Sequence, residues 1–280
     1  MKPLRPAKFA ATIVAPTFVR AGQTVGQTVG DERTAGRVRT TPSIERTVNA
    51  RMARVGGRLR SIASIRRGSV VGAATDGSLG RRMRYVVVFA HPDGESFSGA
   101  LCRNAVDGLR EAGHHVDLID LYAEGFDPRM STAERQAYES PNPILSAQIE
   151  HYADLVRQAQ GLVFVYPTWW WGLPAIMKGW LERVLVPGVS FVLDPKTNKV
   201  KAGLGQIRHV VGISTYGSSR TSMRLFNDAG RRNVVRGVRV LAPPVRCRTT
   251  WLGMYSLDRA TAAQREAFLS RVKTDMRGAR

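Results

Sequence analysis

Two runs of consecutive apolar residues, Tyr85-Val-Val-Val-Phe-Ala90 and Gly161-Leu-Val-Phe-Val-Tyr166, constrain this 280-residue chain more than any other feature. A strand with one face in water alternates apolar and polar residues. A strand that is apolar throughout is covered on both faces, which is the condition of a parallel sheet. Val116–Leu121, Ile207–Ser214 and Val238–Leu241 read as three further strands. Between them lie segments of helical spacing. Leu101–Ala112 carries Leu101, Ala105 and Leu109 on one side and stops at Gly113. Ser131–Ala137, Ser146–Gln160, Pro174–Val186 and Thr261–Met276 follow, with Pro174 near a first turn, where proline is at home. Phe191-Val-Leu and Val200, joined across Asp194–Lys199, read as an inserted hairpin. Strands alternating with helices give an α/β, doubly wound sheet of about five parallel strands with helices on both faces.

This pattern begins at Met83. Residues 1–82 hold 16 Lys and Arg against 4 Asp and Glu, a charge of +12. They have no Trp or Tyr, only Phe9 and Phe18, and a direct repeat of Gln-Thr-Val-Gly at Gln23 and Gln27. Such a segment buries too little apolar surface to offset its ordering entropy, so a disordered basic extension is expected. Three readings stay open for it: an Arg-rich transit peptide, an anion-binding tail through Arg58–Arg67, or a leader upstream of a true start at Met83. Residues 83–280 form the second part, at +8. The tail's charge by itself invites nucleic acid, but no base-stacking motif accompanies it, so no specific nucleic-acid partner is expected. Cys102 and Cys247 lack the number and spacing of a disulfide framework or a metal site, so a reducing, cytoplasmic setting and no metal are expected. No run of eighteen apolar residues exists to span a membrane.

In an open parallel sheet, ligands bind beyond the carboxyl ends of the strands, where the strand order reverses. That directs attention to the loops after Ala90, Tyr166 and Ser214. The first, His91-Pro-Asp-Gly-Glu-Ser96-Phe97-Ser98-Gly99, leads into a helix. The unpaired N–H groups of Phe97, Ser98 and Gly99, with the hydroxyls of Ser96 and Ser98, make a phosphate cradle or an ordinary capped helix start with His91 packed beneath it. Glu95 must turn away from such an anion or cap the backbone. The second loop carries Pro167, Thr168, Trp169, Trp170 and Trp171. Three successive tryptophans cannot all enter one core, so at least one stands at the surface or against a ligand. Flat rings and backbone donors suit an isoalloxazine. Trp180, inside the following helix, reads as core. The third loop, Thr215-Tyr216-Gly217-Ser218-Ser219, has small hydroxylated residues that permit close backbone approach to a planar ligand. Tyr216 reads as an active-site phenol or as a half-buried tyrosine.

His91-Pro-Asp-Gly-Glu-Ser-Phe-Ser together with Pro167-Thr-Trp-Trp-Trp-Gly-Leu-Pro-Ala-Ile-Met-Lys-Gly-Trp-Leu-Glu-Arg183 resembles the NAD(P)H:quinone oxidoreductase family of flavodoxin-like fold. The second stretch is the more specific. Tyr122–Pro128 and Trp251–Tyr255 resemble bacterial members too, so the resemblance covers roughly 84–275 and none of 1–82. It implies a flavin, FAD or alternatively FMN. His91, Ser96, Phe97 and Ser98 would hold its phosphate or pyrophosphate. Pro167, Thr168, Trp169, Trp170 and Trp171 would wrap the isoalloxazine. Thr215, Tyr216 and Gly217 would meet its polar edge. The family places a tyrosine and a histidine near the flavin. Tyr216 is the phenol of the third loop and the catalytic candidate, no histidine follows it, and Ser218-Ser219 stands where relatives have a second glycine.

The resemblance also implies a ping-pong reaction. NADPH or NADH gives hydride to the flavin and leaves, and a quinone-like acceptor takes the same place. It implies a homodimer as well. Two other classes are compatible with the same fold: a regulatory flavin-binding subunit of a potassium-efflux system, and a flavodoxin-type one-electron carrier, for which a +8 domain is unusual.

Overall fold

The computed structural model describes residues 82–279, except 141, 145, 195–198 and 244. The readings made for the basic leader lie outside the described residues. Strands β1 (Arg84–Phe89), β2 (His115–Asp120), β3 (Gly161–Pro167), β6 (His209–Thr215) and β7 (Arg248–Met254) form one sheet in the order β2-β1-β3-β6-β7. Every pairing in it is parallel. A separate antiparallel ribbon pairs β4 (Phe191–Leu193) with β5 (Val200–Ala202), the expected hairpin insertion.

Burial on two faces explains the uninterrupted apolar runs. Val86, Val88, Leu162, Phe164, Tyr166 and Val210 pack with Trp180 and Val184 of α4 (Ala175–Val184) and with Ile149, Tyr152 and Val156 of α3 (Ala147–Gln158). The alternate residues Tyr85, Val87, Phe89, Val163, Val165, Val211 and Ile213 face the other way. There they meet Leu101, Ala105 and Leu109 of α1 (Phe97–Glu111) and Val272 and Met276 of α7 (Ala262–Arg277). Thr261 starts α7 with a capping box to Gln264, and Ser131 starts the short α2 (Thr132–Ala137) with one to Glu134.

At the amino end of the sheet, Tyr85 of β1 reaches over β3 to His209 of β6. The phenol and Nδ1 lie 3.1 Å apart, and Nε2 lies 2.8 Å from Thr250 Oγ1 of β7. Gly161 of β3 is registered against both Tyr85 and His209. A Cβ there would sit 2.1 Å from the Tyr85 ring, so only glycine leaves the passage open.

One strand expectation is corrected. Val238–Leu241 is not the fifth strand: Asn233–Val238 is a π-helical turn, continuing α6 (Ala229–Arg232). Val234 and Val238, four apart, turn inward together, which is helical spacing rather than alternation. The fifth strand is β7, an edge strand with one sheet neighbour and a mostly half-buried pattern. Among the described residues, no helix is long and apolar enough to cross a membrane.

Candidate flavin site

The strand order reverses between β1 and β3, and the three loops named from the sequence converge at that end of the sheet. Thr168 N–H donates to the Thr215 carbonyl at 2.8 Å, and the Thr168 and Ser214 hydroxyls lie 2.9 Å apart. The His91 and Trp169 rings lie 6.1 Å apart, tying the first loop to the second. The Ser98 and Thr215 hydroxyls meet at 3.5 Å, tying the first to the third.

In the first loop Ser96 is the N-cap of α1, and its hydroxyl accepts from Gly99 N–H at 3.2 Å. This corrects the expectation for Gly99, whose N–H is satisfied. Phe97 and Ser98, at the first two helical positions, keep N–H groups with no intrahelical acceptor. Glu95 turns to Arg103, 3.4 Å away, so its carboxylate is taken up by an ion pair on the helix flank. His91 uses Nδ1 within its own turn, accepting from Asp93 N–H at 3.0 Å, which fixes the ring beside the cradle.

The second loop is a two-residue turn. Gly172 N–H donates to the Trp169 carbonyl at 2.9 Å, Trp169 N–H returns the bond at 3.3 Å, and Trp170 and Trp171 occupy the corners at φ 47° and 54°. Positive φ at both central residues is the type I′ geometry, normally filled by Asn-Gly. Two tryptophans there carry a backbone penalty of about 1–2 kcal/mol each. The penalty is spent on display: Trp170 is 90% exposed, and its ring stands edge-on to Trp171 at 5.5 Å. Trp171 in turn lies 4.8 Å from Phe226. Trp180 is fully buried against Phe164, as the helical position required. Pro167 ends β3 and is itself buried, so it sets the direction of the turn rather than lining its outer face.

In the third loop Tyr216 is buried, stacked on Tyr255 at 4.4 Å, with its phenol donating to Asp228 at 3.0 Å. Burial, then the Asp228 charge, push the phenol far above its ordinary value, so it keeps its proton. Gly217 is exposed beside it. A cavity of about 320 Å³ opens between the second and third loops, lined by Thr168, Trp170, Trp171, Tyr216, Gly217, Ser218 and Met223. Of the two cysteines, Cys102 lies on the buried face of α1, and burial, then nearby Asp120, push its thiol up to about 12, which leaves it inert.

A second cavity, of about 450 Å³, shares Met223 with the first and is lined by Arg220, Arg224, Arg231, Arg232, Arg236 and Arg271. Sequence reasoning passed over it. The available signal was the density of arginine in residues 220–239, where Asp228 is the sole carboxylate.

Fold and site together define a flavodoxin-like protein. The family described as flavodoxin-like fold matches residues 83–271, and the chain belongs to it. A ribosyldihydronicotinamide dehydrogenase-like protein of Penicillium crustosum is 37% identical over 133 residues, 42% of this chain and 49% of that protein. A protein of Haemophilus influenzae named as an uncharacterized NAD(P)H oxidoreductase is 33% identical over 145 residues, 51% of this chain and 69% of that protein. Among solved structures, the NAD(P)H:quinone oxidoreductase of Methanothermobacter marburgensis superposes with a TM-score of 0.59 at 26% identity, covering 70% of this chain and 98% of that one. The chain spans about half the length of several curated relatives, 49% of the Penicillium protein and 53% of the human ribosyldihydronicotinamide dehydrogenase.

Proposed function

We propose that this chain is a flavin-dependent oxidoreductase passing two electrons from NADPH or NADH to a quinone or a similar flat acceptor. The observation that carries the reading is the type I′ turn Trp169–Gly172, held in unfavourable backbone geometry over a cavity where three loops meet. Strain of this kind persists only where the surroundings over-determine it, and it gathers at ligand sites. The names of the matched relatives point the same way.

The residues suit a flavin. The free N–H groups of Phe97 and Ser98, opening a 15-residue helix, suit its phosphate, with His91, Ser96 and Ser98 around them. Trp169, Trp170, Trp171 and Thr168 suit its ring, with Pro167 directing the turn. Thr215, Tyr216 and Gly217 suit the polar edge. FAD and FMN share these contacts, and we favour FAD. When bound, a flavin accepts hydride from a dihydronicotinamide and returns two electrons to the acceptor, which makes a ping-pong order natural. The chain's own part is positional. Trp170 and Trp171 offer flat apolar surface that keeps water from the reacting face. Asp228 takes the single hydrogen of the Tyr216 phenol, so we assign Tyr216 to positioning the third loop against the ring edge rather than to donating to the charge that develops there.

We further propose a cytoplasmic homodimer. Trp170 is joined at the surface by Leu225 and Phe226, 82% and 50% exposed, an apolar patch that a second copy would cover. The electron-carrier and channel-subunit readings have no comparable observation behind them. The test is to purify the full chain, release any yellow chromophore and separate FAD from FMN chromatographically, with light scattering for the dimer. A colourless protein that does not take up either flavin refutes the proposal, and a monomer at micromolar concentration refutes the dimer.

A further inference from the structure

The arginine-lined cavity beside the candidate flavin site has no role in the function just proposed. It lies beyond edge strand β7, between α5 (Arg220–Leu225), α6 with its π-helical turn, and Arg271 of α7. Among the described residues Arg220, Arg224, Arg232 and Arg236 have no carboxylate within ion-pair distance. Arg271 pairs at 3.5 Å with Asp275, and Arg231 stands 6.0 Å over the Trp251 ring. The one carboxylate in the wall, Asp228, is engaged by the Tyr216 phenol and by Arg231 N–H at 3.1 Å. Trp251 and Tyr255 add flat aromatic surface to the same wall.

Four unpaired guanidinium groups in one concavity repel one another, and an anion of matching charge relieves that repulsion. Planar forks of donors suit phosphate oxygens, and aromatic faces suit a purine. The cavity also adjoins the flavin cavity, with Met223 lining both and the Tyr216–Asp228 hydrogen bond joining their walls. A ligand that reacts at the tryptophan turn and carries its phosphates at the other end would occupy both.

We propose that this cavity takes the phosphorylated adenosine end of the electron donor, and that it selects NADPH over NADH. The pyrophosphate is common to both donors; the 2′-phosphate adds about −1.5 to −2 charges, which only a surplus of unpaired arginine rewards. The inference rests on the proposed hydride transfer and deepens it by naming the donor. Because the arginines are exposed, their attraction is screened by salt.

The test compares the full chain with Arg232→Gln/Arg236→Gln, and with Arg110→Gln/Arg135→Gln as a control that removes equal charge elsewhere. Steady-state kinetics with NADPH and NADH run beside calorimetric titration of adenosine 2′,5′-bisphosphate against AMP. The unaltered chain is expected to prefer NADPH by about tenfold or more in kcat/KM, from one or two charge-assisted contacts. Its KM for NADPH should rise with salt more than its KM for NADH. The cavity variant should lose most of that preference and most of its bisphosphate affinity, while the control keeps both. Equal use of the two donors by the unaltered chain overturns the inference, as does a preference that survives in the cavity variant. A chain that binds flavin and oxidises NADH without discrimination fails this inference alone. A chain that oxidises no dihydronicotinamide, including the phosphate-free riboside, fails the proposed function as well.

Discussion

The phenol of Tyr216 donates to the carboxylate of Asp228 at 3.0 Å, across the whole of α5. Asp228 sits at φ 34°, in the left-handed region that aspartate and asparagine tolerate best after glycine, and it caps α6 through Arg231 N–H. The pair therefore fixes both the third loop and the wall between the two cavities. Tyr216→Phe leaves a buried carboxylate with one partner fewer, and is expected to lower stability by about 1–3 kcal/mol. It should also weaken flavin binding, because the third loop loses the tether that holds Thr215 and Gly217 in place. Asp228→Asn keeps the backbone geometry and should fall between the two. Urea unfolding and flavin dissociation constants measure the two effects, and unchanged flavin affinity in Tyr216→Phe removes the tether from the account of the site.

The Tyr85–His209–Thr250 chain gives a pH dependence. Burial, then the charge of Arg248, hold the His209 imidazole down to about 3. In the unfolded chain it protonates near the ordinary 6.5. As pH falls from 6.5 towards 3 the unfolded state takes up a proton the folded state refuses, so stability is lost across that window, at up to about 1.4 kcal/mol per pH unit. Urea midpoints between pH 7 and pH 4 should fall more steeply for the unaltered chain than for His209→Gln. Equal slopes would show that another group carries the acid sensitivity.

The sequence disclosed the sheet because central parallel strands are buried on both faces and must be apolar throughout. It misplaced the fifth strand because β7 lies at the edge, where Arg248, Thr249 and Thr250 are tolerated and apolar continuity is lost. Val238-Arg239-Val240-Leu241 imitated a strand because four residues with one polar position are too few to separate alternation from helical spacing. The three tryptophans announced a surface or ligand role, yet their turn was hidden, since its positive φ values are not signalled by Asn or Gly. Contacts that join distant segments, such as Tyr85 with His209 over Gly161, have no local signature at all.

Trp170 is exposed in a conformation that asparagine adopts more readily. Trp170→Asn is therefore expected to leave the flavin-free chain as stable or to raise stability by up to about 1 kcal/mol. Flavin retention and acceptor affinity should weaken in the same variant. A loss of stability without a change in flavin affinity would make the turn a structural element rather than a binding one.

Trp171 and Trp180 should separate in the opposite sense. Trp180 is fully buried between sheet and helix, and Trp180→Ala is expected to cost about 3–5 kcal/mol in the flavin-free chain. Trp171 is partly exposed on the turn and touches Phe226, so Trp171→Ala should cost less stability and about 1 kcal/mol or more of flavin binding. Melting temperatures without flavin, set beside flavin dissociation constants, distinguish the two. Equal loss of melting temperature with unchanged flavin affinity in Trp171→Ala would place the turn in the core.

Hydride transfer at the three-loop site is tested most directly by anaerobic reduction of the flavin-loaded full chain, followed by absorbance. Addition of NADPH before any acceptor should bleach the flavin in a single rapid phase, and a quinone added afterwards should restore the colour in full, one quinone per flavin. Trp171→Ala loaded with saturating flavin should show both phases slowed. A flavin that stays oxidised in the presence of NADPH and NADH, or a reduced flavin that no quinone reoxidises, contradicts the proposed function at its centre.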